Sequence, residues 1–127
     1  MKKVVAHGTF DIIHYGHVNY LEKAKSFGDY LIVFVTSDKE CIRHNKTNYF
    51  DENIRLRMIK SFKCVDEVIL RDANLVDALK TIDYDIFVTT DSFFKNHSEI
   101  AKPTIVLERT KDISSSLIKE YLNKEEK

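Results

Sequence analysis

Tyr30-Leu31-Ile32-Val33-Phe34-Val35 is an unbroken apolar run, rich in β-branched and aromatic side chains. A strand with one wet face alternates polar and apolar residues, so a continuous run marks a strand covered on both faces. Such strands belong to parallel sheets whose crossovers are helices, and the flanking chain should therefore be amphipathic. It is. Tyr15 to Phe27 places Val18, Leu21, Ala24 and Lys25 at helical spacing, with Gly28 positioned to end the helix. Asp51 is suited to cap a helix through Phe62 that turns Ile54, Met58, Ile59 and Phe62 inward.

The same alternation runs through the whole chain. Lys3–His7, Val65–Leu70, Ile86–Val88 and Thr104–Leu107 read as further strands. Leu75–Ile82 reads as a helix, and a last helix starts near Ser114 with Leu117, Ile118 and Leu122 on one side. The expected fold is a Rossmann-like α/β architecture, a doubly wound parallel sheet in a single domain over 1–127, with ligands at the carboxyl ends of the strands. The stretch 37–50 lacks periodicity and is polar and basic, so it is expected to be a functional loop.

Charge and cysteine content narrow the function. Lys and Arg total 20 and so do Asp and Glu, giving a net charge of zero. That balance argues against nucleic-acid and membrane-surface partners, which call for excess positive charge. An anionic ligand must then be held by a local cluster of donors. Cys41 and Cys64 have neither metal-site nor disulfide-framework spacing, and no apolar window reaches a membrane span, so a reducing cytoplasm is the expected location.

The chemistry concentrates in Gly8-Thr9-Phe10-Asp11-Ile12-Ile13-His14-Tyr15-Gly16-His17, which holds two of the chain's three glycines. It lies between the first strand and first helix, where free backbone N–H groups and the helix dipole favour a phosphate. His14 and His17, three residues apart, project from one side of the first helical turn and can donate to phosphate oxygens, with added charge on protonation. Histidines four apart around a Glu would suit zinc; this pair does not. The dinucleotide glycine pattern and the Gly-Lys-Ser/Thr phosphate loop are both missing. Near the other terminus, Arg109 precedes Ser114, Ser115 and Ser116 at a helix start, where a guanidinium fork, hydroxyls and free N–H groups can meet one anion.

Gly8-Thr9-Phe10-Asp11 with His14-Tyr15-Gly16-His17 resembles the G-T-F-D…H-x-G-H signature of the cytidylyltransferases, within the wider nucleotidyltransferase superfamily. Arg109-Thr110-Lys111-Asp112-Ile113-Ser114-Ser115-Ser116 resembles their second signature, R-T-x-G-I-S-T-[TS]. Length and element order are similar to the small bacterial glycerol-3-phosphate cytidylyltransferases over essentially the whole chain. The resemblance implies in-line attack of a phosphorylated acceptor on the α-phosphate of CTP, with pyrophosphate leaving and no protein nucleophile. It implies that His14, His17, Lys46 and Arg109 act on the reacting phosphates. Gly8, Thr9, Phe10, Asp11, Gly16, Lys63, Asp91, Thr110, Ile113, Ser114, Ser115 and Ser116 would bind the nucleotide. It also implies Mg²⁺ carried by phosphate oxygens and water, with Asp11 in its outer shell or capping the turn, and a homodimer, for which Tyr15, Tyr20, Tyr49 and Phe50 offer aromatic surface.

The departures fall on the acceptor side. The family's acceptor-contacting lysines align with His44 and Asp77, and a family arginine with Lys63. Replacing a lysine by Asp77 is a poor way to hold a phosphate dianion, so an acceptor other than glycerol 3-phosphate is expected, one with a positive or hydrogen-bonding group for Asp77 or Ser92. The alternatives are an ATP-using adenylyltransferase of the same superfamily, since Ile113-Ser114-Ser115-Ser116 also resembles the motif of the phosphopantetheine enzymes, and a non-catalytic nucleotide-binding protein.

Overall fold

The computed structural model describes residues 1–110 and 115–125, and the side chains of residues 1–110 and 118–123. Its strands are β1 (Lys3–Gly8), β2 (Tyr30–Thr36), β3 (Glu67–Arg71), β4 (Ile86–Thr89) and β5 (Thr104–Val106). Its helices are α1 (Tyr15–Lys25), α2 (Asp38–Arg43), α3 (Glu52–Lys60), α4 (Leu75–Leu79) and α5 (Ser115–Glu125), with a 3-10 turn at Ser92–Phe94. The sheet order is β3-β2-β1-β4-β5, and each pairing is parallel. The register runs from Lys3 opposite Tyr30 to Gly8 opposite Val35, and from Ile32 opposite Glu67 to Thr36 opposite Arg71.

The continuous run in β2 is covered on both faces. Leu31, Val33 and Val35 pack with Val4, Ala6, Leu21, Ala24 and Ile59 on the α1–α3 side. Ile32 and Phe34 pack with Val5, Phe87, Leu75, Ala78 and Leu79 on the α4 side. Each fully buried aliphatic or aromatic side chain contributes on the order of 1.5–3 kcal/mol, and this double-sided core fixes the strands. Strand order reverses between β1 and β4, which opens a crevice at their carboxyl ends.

Several boundaries and faces differ from expectation. Residues 37–50 are not all loop: Ser37 caps α2 by accepting from the Glu40 amide, and Cys41 anchors that helix in the core. Six residues are too few for periodicity to show. In α3 the inward positions are Arg55 and Ile59, with Leu56 and Phe62 packed against the core, whereas Ile54 is exposed. A buried guanidinium occupies the place assigned to an apolar side chain. Strand β3 starts at Glu67, not Val65, because the Asp66 carboxylate accepts from the Leu31 amide before pairing begins, and it ends at Arg71.

Helix α1 stops at Lys25 with Ser26 as its C-cap. Gly28 follows that stop, and its φ is not positive. A Cβ there would lie 2.7 Å from the Lys2 carbonyl oxygen, so its role is close approach to β1. Tyr20 is no surface aromatic. Its hydroxyl accepts from the His7 amide and donates to the Val88 carbonyl, bracing β1 and β4, and burial pushes its pKa upward. Among the described residues no helix is long and apolar enough to cross a membrane.

Candidate active site

His7, Thr36, Arg71 and the segments 90–91 and 107–110 bring the carboxyl ends of all five strands to one open cleft. Its volume is about 1720 Å³, and α1, the 44–48 segment, α4 and Lys119 complete its walls.

The two histidines are built into the start of α1. His14 is the N-cap in extended conformation, and its Nδ1 accepts from the Gly16 amide at 3.1 Å. Reciprocally, the His14 amide donates to His17 Nδ1 at 3.2 Å, a capping box made of imidazoles. Ring centroids are 3.9 Å apart. Because both Nδ1 atoms accept backbone N–H groups, each neutral ring carries its proton on Nε2. Burial lowers the His14 pKa, and burial together with His14 and Arg109 lowers that of His17 to about 4. In the free protein the pair therefore presents neutral N–H donors, and the Gly16 amide is spent on the cap. Gly16 has a steric reason to lack a side chain: a Cβ would come within 2.9 Å of the His14 ring and 3.4 Å of Thr110 Cβ.

The second signature reaches the same place. Thr110 Oγ1 accepts from Asn19 Nδ2 of α1 at 3.2 Å, and Arg109 lines the cleft with His14 and His17. Ile113 and Ser114 lie outside the described residues; Ser115 and Ser116 open α5. One turn further, Lys119 Nζ lies 2.6 Å from Asp11 Oδ2 and stacks over the Tyr49 ring at 5.3 Å.

Asp11 is the hub of this wall. It is 3% exposed and accepts from the Tyr49 and Phe50 amides, both at 2.9 Å, as well as from Lys119. Burial opposes its ionisation, but Lys119 and the two amides outweigh that and hold its pKa below the ordinary carboxylate range. Phe10, just before it, has φ of 57°, a left-handed backbone that costs roughly 1 kcal/mol or more and is held by burial of its ring. Gly8 lies beneath that ring, and Thr9 borders the cleft.

Arg55 went unrecognised from sequence. It is 0% exposed and donates to the carbonyls of Thr9 (2.9 Å), Thr36 (2.6 Å) and Phe50 (3.1 Å) and to Asp38 Oδ1 (2.7 Å). It thereby joins the glycine turn, the end of β2 and the loop before α3. Its spacing to Ile59 and Phe62 is the signal that could have found it. His7 also borders the cleft: its Nε2 lies 2.8 Å from Thr89 Oγ1, and burial followed by Arg71 pulls its pKa to about 4.

Lys46, Asp91, His44 and Asp77 all line the cleft. Asp91 accepts from the Phe93 amide, and Asp77 Oδ2 accepts from Asn74 Nδ2. Lys63 does not join them. It sits between α3 and β3, at the amino ends of the parallel strands and so on the rim opposite the cleft. Phe93, 69% exposed, turns a ring toward the opening.

A parallel α/β sheet with a switch-point crevice lined by imidazole, guanidinium and ammonium groups defines a protein built to handle phosphorylated ligands. The family model for cytidylyltransferase-like proteins matches residues 5–121. The chain belongs to the cytidylyltransferase-like family and is a nucleotidyltransferase. It is 36% identical to the glycerol-3-phosphate cytidylyltransferase of Bacillus subtilis, covering 96% of this chain and 98% of that one. It is 34% identical to an FAD synthase of Ferroglobus placidus, covering 100% and 99%. The crystal structure of a lipopolysaccharide core biosynthesis protein from Thermoplasma volcanium superposes with a TM-score of 0.76 at 31% identity, over 87% of this chain and 98% of that one.

Proposed function

We propose that the protein transfers CMP from CTP to a small phosphorylated alcohol, giving a CDP-alcohol and pyrophosphate. What carries the reading is the meeting of the His14–His17 pair with Lys46 and Arg109 in one cleft. An acceptor phosphate oxygen forms a bond to the α-phosphorus while the bridging bond to the β-phosphate breaks, and pyrophosphate leaves with the electron pair. His14 and His17 donate their Nε2 protons to the reacting phosphate, whose charge builds in the transition state. Lys46 neutralises the α- and β-phosphates, and Arg109 clamps the β- and γ-phosphates with its planar fork.

Magnesium fits this cleft as a passenger of the triphosphate. No group of three or more His, Cys, Asp or Glu among the described residues could hold a metal, and Asp11 is committed to Tyr49, Phe50 and Lys119. Its ligands would be phosphate oxygens and water, and it would supply further charge neutralisation. Asp11 then acts by ordering the 44–50 wall.

The acceptor differs from glycerol 3-phosphate in this proposal, because Asp77 presents a carboxylate on that side of the cleft. A homodimer is proposed through exposed Tyr15, Tyr49 and Phe50. Similarity to FAD synthases over the full chain favours a second reading, transfer of AMP from ATP. Pyrophosphate release with CTP and with ATP, each against a panel of phosphorylated alcohols and FMN, tests both. CTP-dependent release with an alcohol phosphate is the expected result. Release only with ATP replaces the first reading by the second, and release with neither overturns both.

A further inference from the structure

The β2–β3 side of the cleft holds a cation that the triphosphate assignment leaves unused. Arg71 ends β3 and lines the cleft with His44, Asn74 and Asp77. Its side chain is 11% exposed. One terminal nitrogen donates to the Ala73 carbonyl (2.6 Å) and the other to Thr36 Oγ1 (3.0 Å), while Nε is buried with no acceptor among the described residues. Of the guanidinium's five donors, most are therefore unengaged. The nearest carboxylate, Glu40 Oε2, stands 3.8 Å away, beyond hydrogen-bond reach. That carboxylate is itself buried and shared: Arg43 takes Oε1, and His44 Nε2 lies 3.5 Å from Oε2. Burial draws the Arg71 pKa down, with Glu40 opposing the shift.

Arg71 is thus a largely covered guanidinium with spare donors and only a distant carboxylate, and an anion entering the cleft would complete it. Arg71 and His44 face the same Glu40 carboxylate oxygen, at 3.8 and 3.5 Å, so the two basic groups are neighbours. His14, His17 and Arg109 stand on α1 and after β5, whereas Arg71 ends β3 at the far edge of the sheet.

We propose that Arg71 binds the phosphate of the acceptor, with His44 beside it and Glu40 as the positioning residue for both. The inference rests on the nucleotidyl-transfer reading and adds the anchor that presents an acceptor phosphate monoester to the α-phosphate. Asp77, on the same wall, then meets the acceptor's hydroxyl or ammonium end.

The test uses the full chain saturated with α,β-methylene-CTP and magnesium, with inorganic phosphate and glycerol 3-phosphate as probes in calorimetric titration. Arg71→Met should weaken binding of both probes at least about tenfold, equivalent to about 1.4 kcal/mol, and change affinity for the CTP analogue less than about twofold. Arg71→Lys keeps the charge without the fork and should fall between, which serves if Arg71→Met does not fold. Equal probe binding by wild type and variants overturns the proposal, as does the absence of inorganic phosphate binding by the wild type. A parallel loss of analogue and probe affinity also overturns it, since a purely structural role predicts that. Failure of the wild type to bind the CTP analogue at all would sink the nucleotidyl-transfer reading instead.

Discussion

The His14–His17 turn and the 44–50 segment wall the same cleft but are held by opposite means. In the turn, every polar contact of the imidazoles' Nδ1 atoms closes within three residues. The 44–50 segment owes its shape to distant groups: Asp11 takes the Tyr49 and Phe50 amides, Arg55 takes the Phe50 carbonyl, and Lys119 reaches the Thr47 carbonyl. A locally closed device survives damage elsewhere, and it exposes its chemistry to mutation without exposing the fold. A wall tied from afar couples catalytic geometry to global stability.

The largest test of that contrast is Arg55→Met. It takes the donor away from three carbonyls and from Asp38 Oδ1, and should cost about 3–5 kcal/mol in urea unfolding. A loss below about 1 kcal/mol would mean the long-range ties are dispensable. Next comes acidity. His7 has a folded pKa of about 4 against 6.5 unfolded, so its contribution is present above pH 6.5 and lost as pH falls toward 4. Unfolding free energy should drop by about 3 kcal/mol over that window from His7 alone, with His17 adding to it, and His7→Gln should flatten the profile.

The local device should behave differently. His14→Ala or His17→Ala should cut kcat at least about a hundredfold, with stability changed by only about 1 kcal/mol from the lost cap. Equal damage to turnover and stability would mean that the turn is no more self-contained than the 44–50 wall. The smallest effect is expected from Asp77→Lys, which should raise kcat/KM for glycerol 3-phosphate about fivefold, as an exposed charge permits.

How much of this was legible follows the same divide. Strand positions and the histidine turn depend on neighbours in sequence, and the run 30–35 and the spacing of His14 to His17 revealed them. Helix α2 escaped because one and a half turns leave no period, although Ser37 and Glu40 carried its cap. Hydrophobicity alone turns Ile54 of α3 inward, but a guanidinium satisfied by carbonyls across 19 and 46 residues outweighs it and puts Arg55 there. Placing β3 one residue short hid Arg71 from view. Lys63 rests on a resemblance that says nothing of which end of the sheet it occupies, and parallel topology puts it at the other rim.

Arg55 grips three stretches that come from separate parts of the chain. The cleft cannot be assembled in pieces. Once α3 lifts off the sheet, the glycine turn, the β2 terminus and the chain before the helix lose the one side chain that ties all three together, so such an excursion loosens them at the same instant. Amide exchange in residues 8–11 and in α3 should therefore rise and fall together.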